Sequence, residues 1–103
     1  MRRFPPIASA LLLLTAFILH AEPTVIVSRI KRIPVESSAL ATVGYSKKLR
    51  ALEIEFRNGA IYRYLDVAPD VYEGLLHAQS KARFYDDNIR RKYRSLHVRA
   101  RAP

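Results

Sequence analysis

Two groups of residues in this 103-residue chain have types and spacing suited to gripping an anion. Tyr62-Arg63-Tyr64 sets two aromatic rings and a guanidinium in consecutive positions. On a sheet surface, aromatics with basic neighbours stack unpaired bases, each stacked base being worth about 1–3 kcal/mol. The same spacing describes tyrosines that sit in a core with their hydroxyls at its rim. The second group is Arg90, Arg91, Lys92 and Arg94, continuing to Arg99 and Arg101. It suits phosphate or lipid-headgroup contacts, and equally a solvated helix end that complements the helix dipole. Lys47, Lys48 and Arg50 make a smaller basic turn that reads as plain surface.

Catalytic and metal chemistry find little to work with. The chain has no Cys, which removes thiol catalysis, disulfides and Cys-based zinc sites. Of the three histidines, His20 and His97 lie near the two ends and His77 stands alone between them, so no pair has metal-ligand spacing. Glu53 and Glu55 share one face of a strand, where acids serve solubility. Asp86 and Asp87 sit where the first turn of a helix favours negative charge. There is no nucleophile elbow and no phosphate-cradling glycine loop. We expect no catalytic, cofactor-binding or metal site, and a protein that is not an enzyme.

Charge and hydropathy divide the chain. Met1-Arg2-Arg3 is a short positive start, Ile7 to Leu19 is almost wholly apolar, and the first acid is Glu22. We read that order as a secretory signal peptide, residues 1–21, cleaved near Ala21, with an uncleaved membrane anchor as the alternative. The apolar run falls short of the ~20 residues a spanning helix needs. The mature chain then has no transmembrane segment and is periplasmic or secreted. Initiation further downstream would instead leave a cytoplasmic domain. The whole chain carries 18 Lys+Arg against 9 Asp+Glu; without Arg2 and Arg3 the count is 16 against 9, a net +7. Such a balance favours anionic partners: nucleic acid, anionic lipid or polysaccharide.

The elements that must carry these residues follow from periodicity. Residues 22–34 alternate apolar and basic up to Pro34 and read as a linker or N-terminal arm. Leu40 to Tyr45 reads as a first strand. Leu52, Ile54 and Phe56 alternate with Glu53, Glu55 and Arg57, the period of a half-buried strand. Asn58-Gly59 marks a hairpin, and Ile61 to Leu65 returns. A two-residue loop there would place Tyr62 opposite Glu55. A three-residue loop with a bulge at Gly59 would place Tyr62 opposite Ile54 and Tyr64 opposite Leu52, gathering the aromatics on the apolar face. We favour the bulged form. Pro69 and Asp70 open a helix whose stripe is Val71, Tyr72, Leu75 and Leu76. A break at Ser80 precedes a second helix, with Phe84, Tyr85, Ile89 and Tyr93 on one side, Asp86 and Asp87 early and Arg90 to Lys92 late. Residues 95–103 read as a basic tail.

The ordered pieces Ser37-Ser38-Ala39-Leu40, Val43-Gly44-Tyr45, Leu52-x-Ile54-x-Phe56-x-x-Gly59, Tyr62-Arg63-Tyr64, Ala78-x-Ser80, Phe84-Tyr85 and Ile89-Arg90 resemble the KTSC domain, a short module also found at the C-terminus of some lysyl-tRNA synthetases. The resemblance covers the domain we place at residues 35–94. It implies no catalytic activity, and RNA binding has been suggested for the family from its attachment to a synthetase; an exported copy would not meet tRNA. Ala82 stands where the family usually carries Gly, and a positive φ there would cost Ala roughly 1 kcal/mol.

The expected fold is α+β, a three-stranded antiparallel meander covered by two C-terminal helices, with Leu52, Ile54, Phe56, Val71, Leu75, Phe84 and Ile89 in its core. The expected function is non-catalytic binding of an anionic partner through Arg90, Arg91, Lys92 and Arg94 and the Tyr62, Arg63, Tyr64 strand. Peripheral membrane contact falls within that class. The alternative is a module that binds another exported protein through a sheet edge or an open sheet face.

Overall fold

A computed structural model describes residues 26–99; the expected signal peptide, its cleavage point and residues 100–103 lie outside the described residues. The chain order is β1 (Ile26–Val27), β2 (Ile33–Pro34), β3 (Leu40–Ser46), β4 (Ala51–Phe56), β5 (Ile61–Tyr64), α1 (Pro69–His77), α2 (Lys81–Asn88) and β6 (Ser95–Arg99). The class is α+β, as expected, but the sheet has six strands in the order β1-β6-β5-β4-β3-β2. The expected meander, β3 to β5, is only its centre. β6 pairs antiparallel with β5, and β1 runs parallel to β6 at the edge.

The hairpin after β4 takes the bulged form. Gly59 N donates to Phe56 O at 2.9 Å and Phe56 N to Ala60 O at 2.8 Å. Gly59 has φ +94°, which L side chains avoid. Ile54 therefore faces Tyr62 and Leu52 faces Tyr64. This register sends Val43, Leu52, Ile54 and Tyr64 to the face covered by the helices, where they pack with Leu40, Val67, Leu75 and Ile89. Of the expected core, Leu52, Ile54, Leu75 and Ile89 are fully buried, while Phe56, Val71 and Phe84 lie half-buried at its margin.

Both helices start where the sequence says. Pro69 opens α1 with Asp70 in the first turn, and the Ser80 hydroxyl caps α2 by accepting from Arg83 N at 3.2 Å. The second helix is shorter than its apolar stripe implied. Ile89 N and Arg90 N both donate to Tyr85 O, and Arg91 turns the chain with φ +61°. Asp86 and Asp87 consequently occupy the last turn, and Arg90 to Lys92 lie beyond the helix. The fully buried Ile89 pins this turn and aims the chain back at the sheet. Ala82 lies inside α2 without a positive φ, so it carries no such strain.

The segments read as an arm and a tail are built into the sheet. Leu96 and Val98 alternate with His97 and Arg99 in β6, and Val98 is buried, paired with Ile61 on one side and Ile26 on the other. β1 and β2 sit at opposite edges, so residues 28–32 cross the whole face away from the helices. Six residue steps from Val27 to Ile33 reach at most about 20–22 Å, whereas five strand spacings add up to about 24 Å. The sheet must curl towards this strap for it to reach both edges.

Candidate functional site

The strap keeps the period of an extended chain. Ser28, Ile30 and Arg32 turn towards the sheet, and Arg29 and Lys31 are exposed. Gly44 makes the crossing possible: a Cβ there would collide with the carbonyl oxygen of Lys31. Beneath the strap lies Glu53, fully buried in the middle of β4. Its Oε1 accepts from Ser28 Oγ at 2.6 Å and from an Arg32 guanidinium nitrogen at 2.9 Å. Its Oε2 accepts from Arg63 through Nε at 2.9 Å and a terminal nitrogen at 2.8 Å. Arg32 also donates to Thr42 Oγ1 at 3.0 Å, and Thr42 donates to Glu55 Oε1 at 2.9 Å. A buried carboxylate is tolerable only when paired and hydrogen-bonded, and here four bonds from three residues satisfy it.

Glu53 is therefore a fastener and not the solubilising surface acid its alternation suggested. The pattern of strand β4 alone holds no sign of it, because Glu53 and Glu55 alternate like any solvated face. The only signal was in residues 28–32, whose alternation demands a surface on which to lie.

The strap divides its face into two grooves that share Arg29, Ile30 and Lys31. One, of about 400 Å³, adds Arg32 and Arg99 opposite Glu55. The other, of about 640 Å³, adds Val27, Tyr45, Lys48, Leu49 and Arg63. Among the described residues Arg29, Lys31, Lys48 and Arg99 form no ion pair. Among the described residues the acids on this face are Glu53, neutralised by two arginines, and Glu55.

The residues singled out from sequence are split by the fold. Tyr62 and Tyr64 face the helices, while Arg63 between them faces the strap and binds Glu53. Tyr64 is buried, its hydroxyl 2.8 Å from that of Tyr85. Burial first, then this hydrogen bond, holds the Tyr64 hydroxyl well above the usual tyrosine range. Tyr62 packs edge-on against Phe56 and the His97 ring. The two tyrosines, Phe56, Tyr85 and Tyr93 line a hollow of about 300 Å³ that Arg91 also borders. Arg90 pairs with Asp86 at 3.1 Å in solvent, and Lys92 and Arg94 are exposed.

His77 stays at the end of α1, where Nδ1 lies 2.9 Å from the Glu73 carbonyl. Among the described residues no three His, Asp or Glu converge as metal donors. No helix there is long and apolar enough to cross a membrane.

Comparison with known proteins agrees with this architecture. The KTSC domain family model matches residues 36–93. An uncharacterised protein of Stutzerimonas stutzeri is 43% identical over 56 residues, covering 54% of this chain and 79% of its own. A Tsukamurella paurometabola protein is 38% identical over 63 residues, covering 61% and 94%. A lysine–tRNA ligase of Nostoc punctiforme is 36% identical over 59 residues, 57% of this chain but 10% of the ligase. The crystal structure of a KTSC domain protein from Yersinia pestis superposes with a TM-score of 0.66 at 36% identity, covering 68% of this chain and 99% of that one. The strap and β6 lie outside the residues matched by the family model. With more than half of its length matched and its fold shared with a solved member, the chain belongs to the KTSC domain family.

Proposed function

We propose that this protein is exported, is not an enzyme, and works as a binding module for an anionic partner. The observation that carries the reading is the face crossed by the strap. Arg29, Lys31, Lys48 and Arg99 line its two grooves without an ion pair among the described residues, and its buried acid is neutralised. Cations held in grooves over a low-dielectric wall focus positive potential and steer anions towards them. Arg91 beside the tyrosine hollow, with Arg90, Lys92 and Arg94 near it, offers a second set of cations on the helix side.

The test is binding of the chain to a single-stranded oligonucleotide and to heparin across a salt series. Affinity should fall steeply with salt, and Arg29→Gln with Lys31→Gln should flatten the slope by about 1–2, one unit or less per lost phosphate contact. Binding that ignores salt overturns the reading. Sequencing the N-terminus of protein from cell fractions should find Glu22 first, outside the cytoplasm.

A second reading, binding of another exported protein, draws on Ile33, which is 43% exposed on edge strand β2. Such a complex would be saturable and indifferent to the two substitutions above. The open sheet face first considered for it is taken up by the strap.

A further inference from the structure

We infer that the anionic partner is a lipid bilayer surface, met by the strap and the β3–β4 hairpin tip together; this rests on the anionic-partner reading above. The tip runs Lys47-Lys48-Leu49-Arg50, all exposed, and Leu49 is 55% exposed. Val27, at the start of the strap, is 52% exposed. These two aliphatic side chains line the same groove as Arg29, Lys31 and Lys48. Aliphatic groups ringed by cations are what an interfacial protein presents: the apolar groups enter the boundary between headgroups and chains, and the cations meet the lipid phosphates.

The aromatic content of this groove argues against stacked bases. Polymers of nucleotides are held on stacking platforms, and the aromatic residue in this groove, Tyr45, is already engaged. Its ring stacks on Tyr72 at 5.4 Å, and its hydroxyl donates to the Val67 carbonyl at 2.5 Å. Four exposed acids sit away from this face, on the helix side, which also carries cations of its own. Asp70, Glu73, Asp86 and Asp87 lie on the helices, across the sheet from the strap, and would point away from an anionic surface.

The test uses the chain with unilamellar vesicles of phosphatidylcholine alone and of phosphatidylcholine with phosphatidylglycerol. The anionic vesicles should be bound and the neutral ones should not. Neutralising Lys48 or Lys31 to Gln should weaken partitioning roughly 5-fold each. Leu49→Ser should weaken it roughly 10-fold, the share of a Leu transfer that partial insertion realises, and circular dichroism should be unchanged. Because the chain has no Trp, Leu49→Trp introduces a single reporter whose emission should shift to the blue on anionic vesicles. Equal binding to both vesicle types, or indole emission from the Leu49→Trp variant that does not move, overturns the lipid inference. Salt-sensitive binding to heparin or oligonucleotide alongside that failure leaves the anionic-partner reading standing. Failure on vesicles and polymers alike removes both.

Discussion

Replacing Glu53 by Gln should destabilise this domain more than any other single change of charge. The substitution keeps the shape of the side chain but withdraws the charge that holds Arg32 and Arg63. Breaking a buried pair by removing one partner costs about 3–5 kcal/mol, because the other charge is left uncompensated. Here the arginine side chains are 20% and 15% exposed, so water recovers part of the loss and the expected cost lies near the lower end, about 3 kcal/mol. For a domain of this size that should lower the melting temperature by roughly 12–24 °C. The assay is urea unfolding followed by circular dichroism, with Asp86→Asn as the comparison. Asp86 and Arg90 are both about half exposed, and losing their pair should cost less than about 1 kcal/mol. A double-mutant cycle with Ser28→Ala should show coupling, since Ser28 Oγ bonds the same carboxylate. If Glu53→Gln costs no more than Asp86→Asn, the strap is not fastened by this network and the reasoning fails.

Other consequences follow from the same packing. Gly44→Ala should lift the strap off the sheet, because the obstacle is the Lys31 backbone and not a yielding side chain; faster amide exchange across residues 28–32 would show it, and unchanged protection would contradict it. Gly59→Ala meets open space, so its cost is purely conformational, about 1–2 kcal/mol for a left-handed φ, readable as a shift in the urea midpoint. The raised Tyr64 hydroxyl gives a pH dependence of known sign. Folding keeps it neutral while the unfolded chain ionises near pH ~10, so stability should be complete below about pH 10 and fall as pH rises above it. Comparing urea midpoints at about pH 8 and about pH 11, Tyr64→Phe should lose less than the parent; an equal loss would place the alkaline sensitivity elsewhere.

Local chemistry made much of the fold legible. Alternation at Leu52, Ile54 and Phe56, the Asn58-Gly59 turn, Pro69 at a helix start and Ser80 at another each act over a few residues. The bulged register followed because a one-residue slip would have moved Tyr62 and Tyr64 off the apolar face to lie beside Glu55 and Glu53. The end of α2 was less legible: the apolar period runs on to Tyr93, but the burial of Ile89 and the left-handed Arg91 stop the helix at Asn88.

By itself the amino-acid order determined the central meander, the two helices, the positive balance and the family, since these rest on periodicity and short-range turn chemistry. The tertiary structure alone decided that residues 26–27, 33–34 and 95–99 complete the sheet, and that Glu53 is buried beneath a strap. It also gathered Arg29, Lys31, Lys48 and Leu49 on one face. The physical reason is separation along the chain. Glu53 is 25 residues from Ser28 and 21 from Arg32, and β1 lies some seventy residues from its partner β6. Pairings over such distances leave no local pattern, and an acid on the alternating face of a strand reads as solvated until something is known to cross above it.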